Sequence, residues 1–186
     1  MLIDYLEYFA VFSGILYLIL ISKLIRLGWL FGMISAAAYT YICFQSSLYF
    51  QSILQLIYVF TSFLGFWSWA ELKDNKGSET FHLSIQQNIW VILAALSCVF
   101  ISFYLLSYTT QESALLDSFV TVFSLVATAL TILRCIENWY YWWGVNVLAI
   151  VLFYQQNLKT TVFLYGVYLV ISIYGYIQWQ KTLQRK

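Results

Sequence analysis

From Leu6 to Trp179 the chain reads as seven apolar stretches, each close to the length that crosses a bilayer as a helix, with charge confined to their ends. The stretches are Leu6–Ser22, Gly28–Ser46, Leu48–Leu72, Asn88–Tyr108, Leu115–Leu133, Asn138–Gln156 and Thr160–Trp179. The charged residues inside them are Glu7, Glu71 and Asp117, all close to an end. A hydrocarbon core about 30 Å thick takes roughly 20 residues of helix. Lipid offers backbone groups no partner, so uninterrupted stretches of this kind must satisfy themselves as helices. The expected fold is therefore an all-α integral membrane protein with seven transmembrane helices. Composition leaves little mass for a soluble domain: 62% of the 186 residues are hydrophobic, 9% are charged and none is proline, whereas a soluble domain carries about 25% charged residues. A net charge of +1 gives no footprint for nucleic acid.

The loops orient the chain. With the N-terminus outside, Lys23, Arg26, Lys73, Lys76, Arg134, Lys181, Arg185 and Lys186 face the cytoplasm and only Lys159 faces out. The positive-inside rule therefore predicts an inner (plasma) membrane protein with an outside N-terminus and a cytoplasmic C-terminus. Asp4 and Glu7 stand where a signal peptide would carry basic residues. Cys43, Cys98 and Cys135 are far apart, without metal spacing or pairing, and read as packing residues.

A shift of 110 residues without a gap superposes two parts of the chain. Trp29 falls on Trp139, Gln45 on Gln155, Leu48 on Leu158, Leu54 on Leu164, Tyr58 on Tyr168, Ser62 on Ser172, Gly65 on Gly175 and Trp69 on Trp179. These matches superpose two tight turns, at Gln45–Ser47 and Gln155–Asn157, and two Gly-x-x-x-Trp endings. Residues 6–72 thus read as one three-helix repeat and 115–179 as its copy, joined by a linker span over 88–108. An odd number of intervening helices gives the copies the same orientation, a 3+1+3 arrangement of parallel repeats. Transporters built this way place substrate near the midplane where the repeats meet.

Trp139, Trp142, Trp143 and Asn146 recur at spacings that put them on one helical face. Asn146 lies about 12 Å along the helix from Asn138, near mid-bilayer, where an amide needs a partner. Two readings fit: rings and an amide poised for a flat polar heterocycle, or an interfacial tryptophan belt with one helix–helix hydrogen bond. Ser35, Tyr39, Gln55, Tyr58, Tyr165 and Tyr168 fall at similar depth and add neutral donors, acceptors and ring faces, including the repeat mates Gln55 and Tyr165. A ligand here would be neutral or singly cationic, since aromatic faces hold cations without a carboxylate. Each tyrosine could equally be a packed ring bonded to a neighbouring helix. Asp117, near the outer end of the fifth span, is a candidate by its position or a helix N-terminal residue, with Thr121 four residues on. Arg134 and Glu137 read as a surface ion pair of little weight, and His82 as a loop residue.

No set of Asp, Glu, His or Cys shares a face, so general acid–base chemistry and metal ligation have no players. There is no phosphate loop, so the chain is not expected to be an enzyme or to need a cofactor. The scarcity of ionisable residues in the spans favours facilitated diffusion over coupled transport. A second reading, a non-transporting membrane subunit or sensor that binds a partner protein, stays open; matched aromatic ends in both halves argue against it.

These residues resemble the PnuC-type vitamin transporters. The resemblance is carried by Glu137-Asn138-Trp139-x-x-Trp142 with Asn146, Leu54-Gln55, Gly175-Tyr176-x-x-Trp179, Phe31-Gly32-Met33-Ile34, Phe44-Gln45-x-x-Leu48-Tyr49 and Leu116-Asp117-Ser118. It covers nearly the whole chain. It implies a 3+1+3 fold related to the SWEET-type sugar transporters, a homotrimer in the lipid bilayer, and facilitated diffusion of nicotinamide riboside or, in close relatives, thiamine or riboflavin. A cytoplasmic kinase would trap the substrate. It gives pocket roles to Trp139, Trp142, Asn146, Gln55, Asp117, Tyr165 and Tyr168. Relatives that carry nicotinamide riboside tend to have asparagine where this chain has Ser35, which leaves the vitamin open, with nicotinamide riboside ahead of thiamine.

Overall fold

The computed structural model describes residues 2–45, 49–71, 80–106, 114–155 and 159–184. They form seven helices: α1 (Leu2–Ser22), α2 (Gly28–Gln45), α3 (Tyr49–Glu71), α4 (Ile85–Leu106), α5 (Ala114–Ile132), α6 (Asn138–Gln155) and α7 (Lys159–Gln184). Each coincides with an expected span, and α7 runs five residues past Trp179. Residues 46–48 and 156–158, which complete the two expected tight turns, lie outside the described residues.

Among the described residues, α1, α3, α4, α5 and α7 are long and apolar enough to cross a membrane. Helices α2 and α6 reach 18 residues, but Gly, Ser, Thr, Asn, Gln and tyrosines dilute their hydropathy. Helix α4 shows the opposite character. It exposes Trp90, Leu93, Leu96, Phe100 and Tyr104, a surface suited to lipid tails.

Contacts divide the chain into two compact units, Met1–Glu79 with Ile177–Lys186, and Thr80–Tyr176. The partition by sequence repeat and the partition by contact therefore differ. Helix α4 groups with α5 and α6, and the end of α7 groups with the first unit. In the first unit α2 packs against both α1 and α3; in the second, α5 packs against α4 and α6.

The 110-residue repeat reappears in local geometry. Helix α1 ends at Ser22 and α5 at Ile132; α2 spans Gly28–Gln45 and α6 spans Asn138–Gln155. Both connections use the same turn. Leu24 N–H donates to Ile21 O at 2.9 Å and Ile25 N–H to Leu20 O at 2.9 Å; Arg134 N–H donates to Thr131 O at 3.0 Å and Cys135 N–H to Leu130 O at 2.9 Å. This crossed pair is the Schellman motif, which closes a helix with one left-handed residue. Leu24 and Arg134, at φ 58° and 63°, supply it. Glycine usually takes this position, because a Cβ is strained there.

The matched tryptophans are structural in both copies. Trp29 is fully buried and Trp139 nearly so. A Cβ on Gly65 would meet the Trp29 ring at 2.4 Å, and one on Gly175 the Trp139 ring at 2.3 Å. Each indole thus lies on bare backbone, Trp29 on that of α3 and Trp139 on that of α7. Trp69 and Trp179 are also buried, with ring centroids 6.3 Å apart. Trp179 donates its indole N–H to Ile21 O at 3.1 Å, at the C-terminal cap of α1.

Candidate functional site

The second unit gathers most of the expected site residues. Asn138 opens α6, donating from Nδ2 to Cys135 O at 2.6 Å. Its Oδ1 accepts from Thr131 Oγ1 at 3.2 Å. Trp142, one turn on, donates its indole N–H to the same Thr131 oxygen at 3.2 Å. Trp142 is half-buried, so with its edge tied it can offer a ring face. Beyond it lies a small buried cluster of Val120, Val145, Ala149 and Leu152, against which Trp142, Phe153 and Tyr165 all pack. Tyr165 stacks on Phe153 with centroids 5.3 Å apart and meets Tyr168 edge-on at 5.8 Å. Asn146, 2% exposed, follows Val145 in the chain. Asp117 sits half-buried in the first turn of α5, where the helix dipole favours an acid. Half-buried Thr121 accepts from Ser124 Oγ through its carbonyl. Trp142, Phe153 and Tyr165 thus meet on one apolar cluster, and Asp117, Asn146 and Tyr168 lie on the same three helices, α5, α6 and α7.

The four-residue face read from sequence is divided by the fold. Trp139 is held against Gly175, and Trp143 packs edge-on against Tyr140 and Tyr176 at 5.2 and 5.3 Å. Of the four, Trp142 packs against the cluster, and Asn146 is buried one residue after its Val145. In the first unit, Ser35 is buried and donates its hydroxyl to Ala10 O at 2.8 Å, tying α2 to α1. Gln55 and Tyr58 are half-buried on α3, where Tyr58 O accepts from Thr61 Oγ1; Tyr39 is half-buried on α2. Phe163, Gly166, Val167, Val170 and Ile171 line an open apolar groove along α7 that offers nothing to a polar ring.

Arg134 and Glu137 are not a surface pair: they are 4% and 7% exposed, and Glu137 bonds elsewhere. Its carboxylate accepts from His82 Nδ1 at 2.7 Å, Leu83 N–H at 3.1 Å and Cys135 Sγ at 2.8 Å. Beside it Phe81 bridges Cys135 in parallel fashion: Phe81 N–H donates to Arg134 O at 3.4 Å and Ile136 N–H to Phe81 O at 3.0 Å. The segment before α4 thus covers the α5–α6 turn. Burial acts to raise the Glu137 pKa, but the hydrogen bonds it accepts outweigh this and hold it below the ordinary carboxylate range. Burial, with Glu137 alongside, pushes the Cys135 thiol up to about 12, so it stays a neutral donor. Sequence reasoning missed this because residues 81–83 and 137 are more than fifty positions apart. Thr131 and Phe153 were missed because a threonine or phenylalanine in a span carries no distinguishing mark.

The chain is similar to known transport proteins over nearly its whole length. The profile of a family described as nicotinamide mononucleotide transporter matches residues 4–181. The nicotinamide riboside transporter PnuC of Neisseria mucosa is 34% identical over 191 residues, covering 95% of this chain and 72% of that protein. PnuC of Haemophilus influenzae is 30% identical, covering 93% and 78%. A solved structure, the crystal structure of the vitamin B3 transporter PnuC, aligns with a TM-score of 0.82 at 30% identity, covering 98% of this chain and 83% of that one.

Proposed function

Because the chain belongs to the nicotinamide mononucleotide transporter family, we propose that it carries nicotinamide riboside, held in the second unit by Trp142, Asn146, Tyr165 and Tyr168. It is a multi-pass membrane transporter of a vitamin B3-type compound and not an enzyme. The rival reading of a non-transporting subunit or sensor gives way to that membership. The observation that carries the site is the convergence of Trp142 and Tyr165 on one cluster, whose Val145 is followed in α6 by the buried Asn146.

The chemistry suits the substrate. A nicotinamide ring linked to ribose is flat and cationic, and stacks on aromatic faces that also attract its charge. With its N–H bound to Thr131, Trp142 presents π-surface. The Asn146 carboxamide can both donate and accept, which complements a carboxamide or a ribose hydroxyl. The tyrosine hydroxyls serve the sugar. Asp117 and Thr121, at the first turns of α5, are proposed as an outer contact that favours the cation. Trp139 and Ser35 act by position: Trp139 sets α6 on α7, and Ser35 joins α1 to α2. Gln55 keeps a contact role supported by the resemblance, and Tyr58 one supported by its depth in the third span.

The finer features rest on sequence and resemblance. Facilitated diffusion is supported by how few charged residues the spans contain, and a homotrimer and trapping by a cytoplasmic kinase by the resemblance. An outside N-terminus and a cytoplasmic C-terminus in the inner membrane are supported by the eight-to-one distribution of basic residues. The 3+1+3 arrangement is supported by the matched turns and the two indole-on-glycine contacts.

Binding to purified protein tests the site. A ligand that binds only the folded state raises its apparent stability, so nicotinamide riboside should raise the melting temperature more than thiamine or riboflavin. Asn146→Leu should abolish that shift while the protein stays folded, and Trp142→Ala should weaken binding by roughly ten- to a hundredfold. Wild-type affinity in the Asn146 variant would remove that residue from the site.

A further inference from the structure

We infer that Thr131, supported by Asn138, is a positioning residue that fixes the ring plane of Trp142 for substrate. The inference rests on the reading of Trp142 as a substrate contact and adds how it is held. Thr131 is 1% exposed and Asn138 fully buried. The Thr131 hydroxyl has one proton, directed to Ala127 O at 2.8 Å and toward Asn138 Oδ1 at 3.2 Å. Its lone pairs are then free to accept, and Trp142 Nε1–H approaches at 3.2 Å. Asn138 cannot swing away, because its Nδ2 is fastened to Cys135 O at 2.6 Å. An indole carries a single donor, so this one bond sets rotation about the side chain and leaves the face to the ligand.

The other copy of the repeat supports a dedicated role. Subtracting 110 from Thr131, Asn138 and Trp142 gives Ile21, Gly28 and Gly32. None of these can make the chain of bonds. Gly32 is instead closed off by the Tyr17 ring, 2.8 Å from where its Cβ would lie. The turn between these helices is the same in both copies, so the turn does not require a threonine and an asparagine here.

The test is a double-mutant cycle read by nicotinamide riboside affinity of the purified full-length protein. Thr131→Val keeps the shape and removes the acceptor. A lost hydrogen bond of ordinary strength predicts about three- to tenfold weaker binding. Thr131→Ser should restore affinity. In a Trp142→Phe background, which has no N–H to hold, Thr131→Val should cause no further loss. Should Thr131→Val fail to fold, replacing Trp142 with benzothienylalanine tests the same bond from the other side, and the same loss is expected. Unchanged affinity in Thr131→Val, or an equal loss in the Trp142→Phe background, overturns the inference while leaving Trp142 as a contact. Wild-type affinity in Trp142→Ala overturns the site reading itself, and this inference with it.

Discussion

Helices α2 and α6 have the same length and are entered through the same turn, 110 residues apart, yet present different chemistry. Along one face α2 carries Gly28, Gly32 and Ala36, where α6 carries Asn138, Trp142 and Asn146. What the helices share is structural: a buried first-turn tryptophan lying on a glycine of the third helix. What differs is the set of groups able to grip a polar ring. Trp139 thus repeats a contact that Trp29 makes in the first unit, whereas Trp142, proposed above as a substrate contact, stands where the first unit has Gly32. The turns diverge in the same way. The turn before α2 leaves Leu27 55% exposed, whereas its mate Glu137 is buried under residues 81–83.

The equivalence of α2 and α6 is most exposed at the indole-on-glycine contact they share. Gly65→Leu and Gly175→Leu each place carbon inside an indole ring and should destabilise by about 3 kcal/mol. Thermal unfolding in detergent should give similar losses for both; a large loss in only one would end the equivalence. Next, Glu137→Leu leaves His82 and the Leu83 amide without their acceptor, a cost of about 2 kcal/mol. Leu27→Ala, at the matched exposed position, should stay within about 0.5 kcal/mol. Equal effects would mean that the two turns are not differently covered.

Acid sharpens the same contrast. Glu137 is held below its ordinary value of 4.5, so its contribution is complete above that value and is lost as pH falls through the lower folded one. The difference in melting temperature between wild type and Glu137→Gln should not shrink from pH 8 to about 5, and should close below about pH 4.5. A difference that vanishes near neutrality would show that Glu137 is not the group responsible. The smallest effect concerns the left-handed residues. Leu24→Gly relieves a strained backbone and should stabilise by about 0.5 kcal/mol after the entropy of glycine is counted. Arg134→Gly should not stabilise, because it also empties a buried site.

The helices were legible because lipid imposes one solution on long apolar stretches, and all seven emerge close to their expected bounds. The two indole-on-glycine contacts left a trace in the sequence as the matched pairs Trp29 and Trp139, Gly65 and Gly175, because close packing of a large ring on a bare backbone leaves a fixed pair of residue types. The purpose of those tryptophans was not legible. Spacing puts Trp139, Trp142 and Asn146 on one face but does not say that Gly175 claims the first. Ser35 was read for its depth, yet its hydroxyl serves Ala10. The Glu137–His82 contact joins residues 55 positions apart, beyond the reach of any local pattern. The division into contact units was also hidden, since sequence repetition groups α7 with its own copy while its last turns pack in the first unit.

The proposed function requires that nicotinamide riboside cross the membrane passively, gripped by residues of the second unit. Purified protein in sealed liposomes, given labelled nicotinamide riboside without ATP or an ion gradient, tests it most directly. Label should equilibrate across the membrane with wild-type protein and remain outside with Asn146→Leu. Absence of flux in the wild type, or flux that appears only when an ion gradient is imposed, would contradict it.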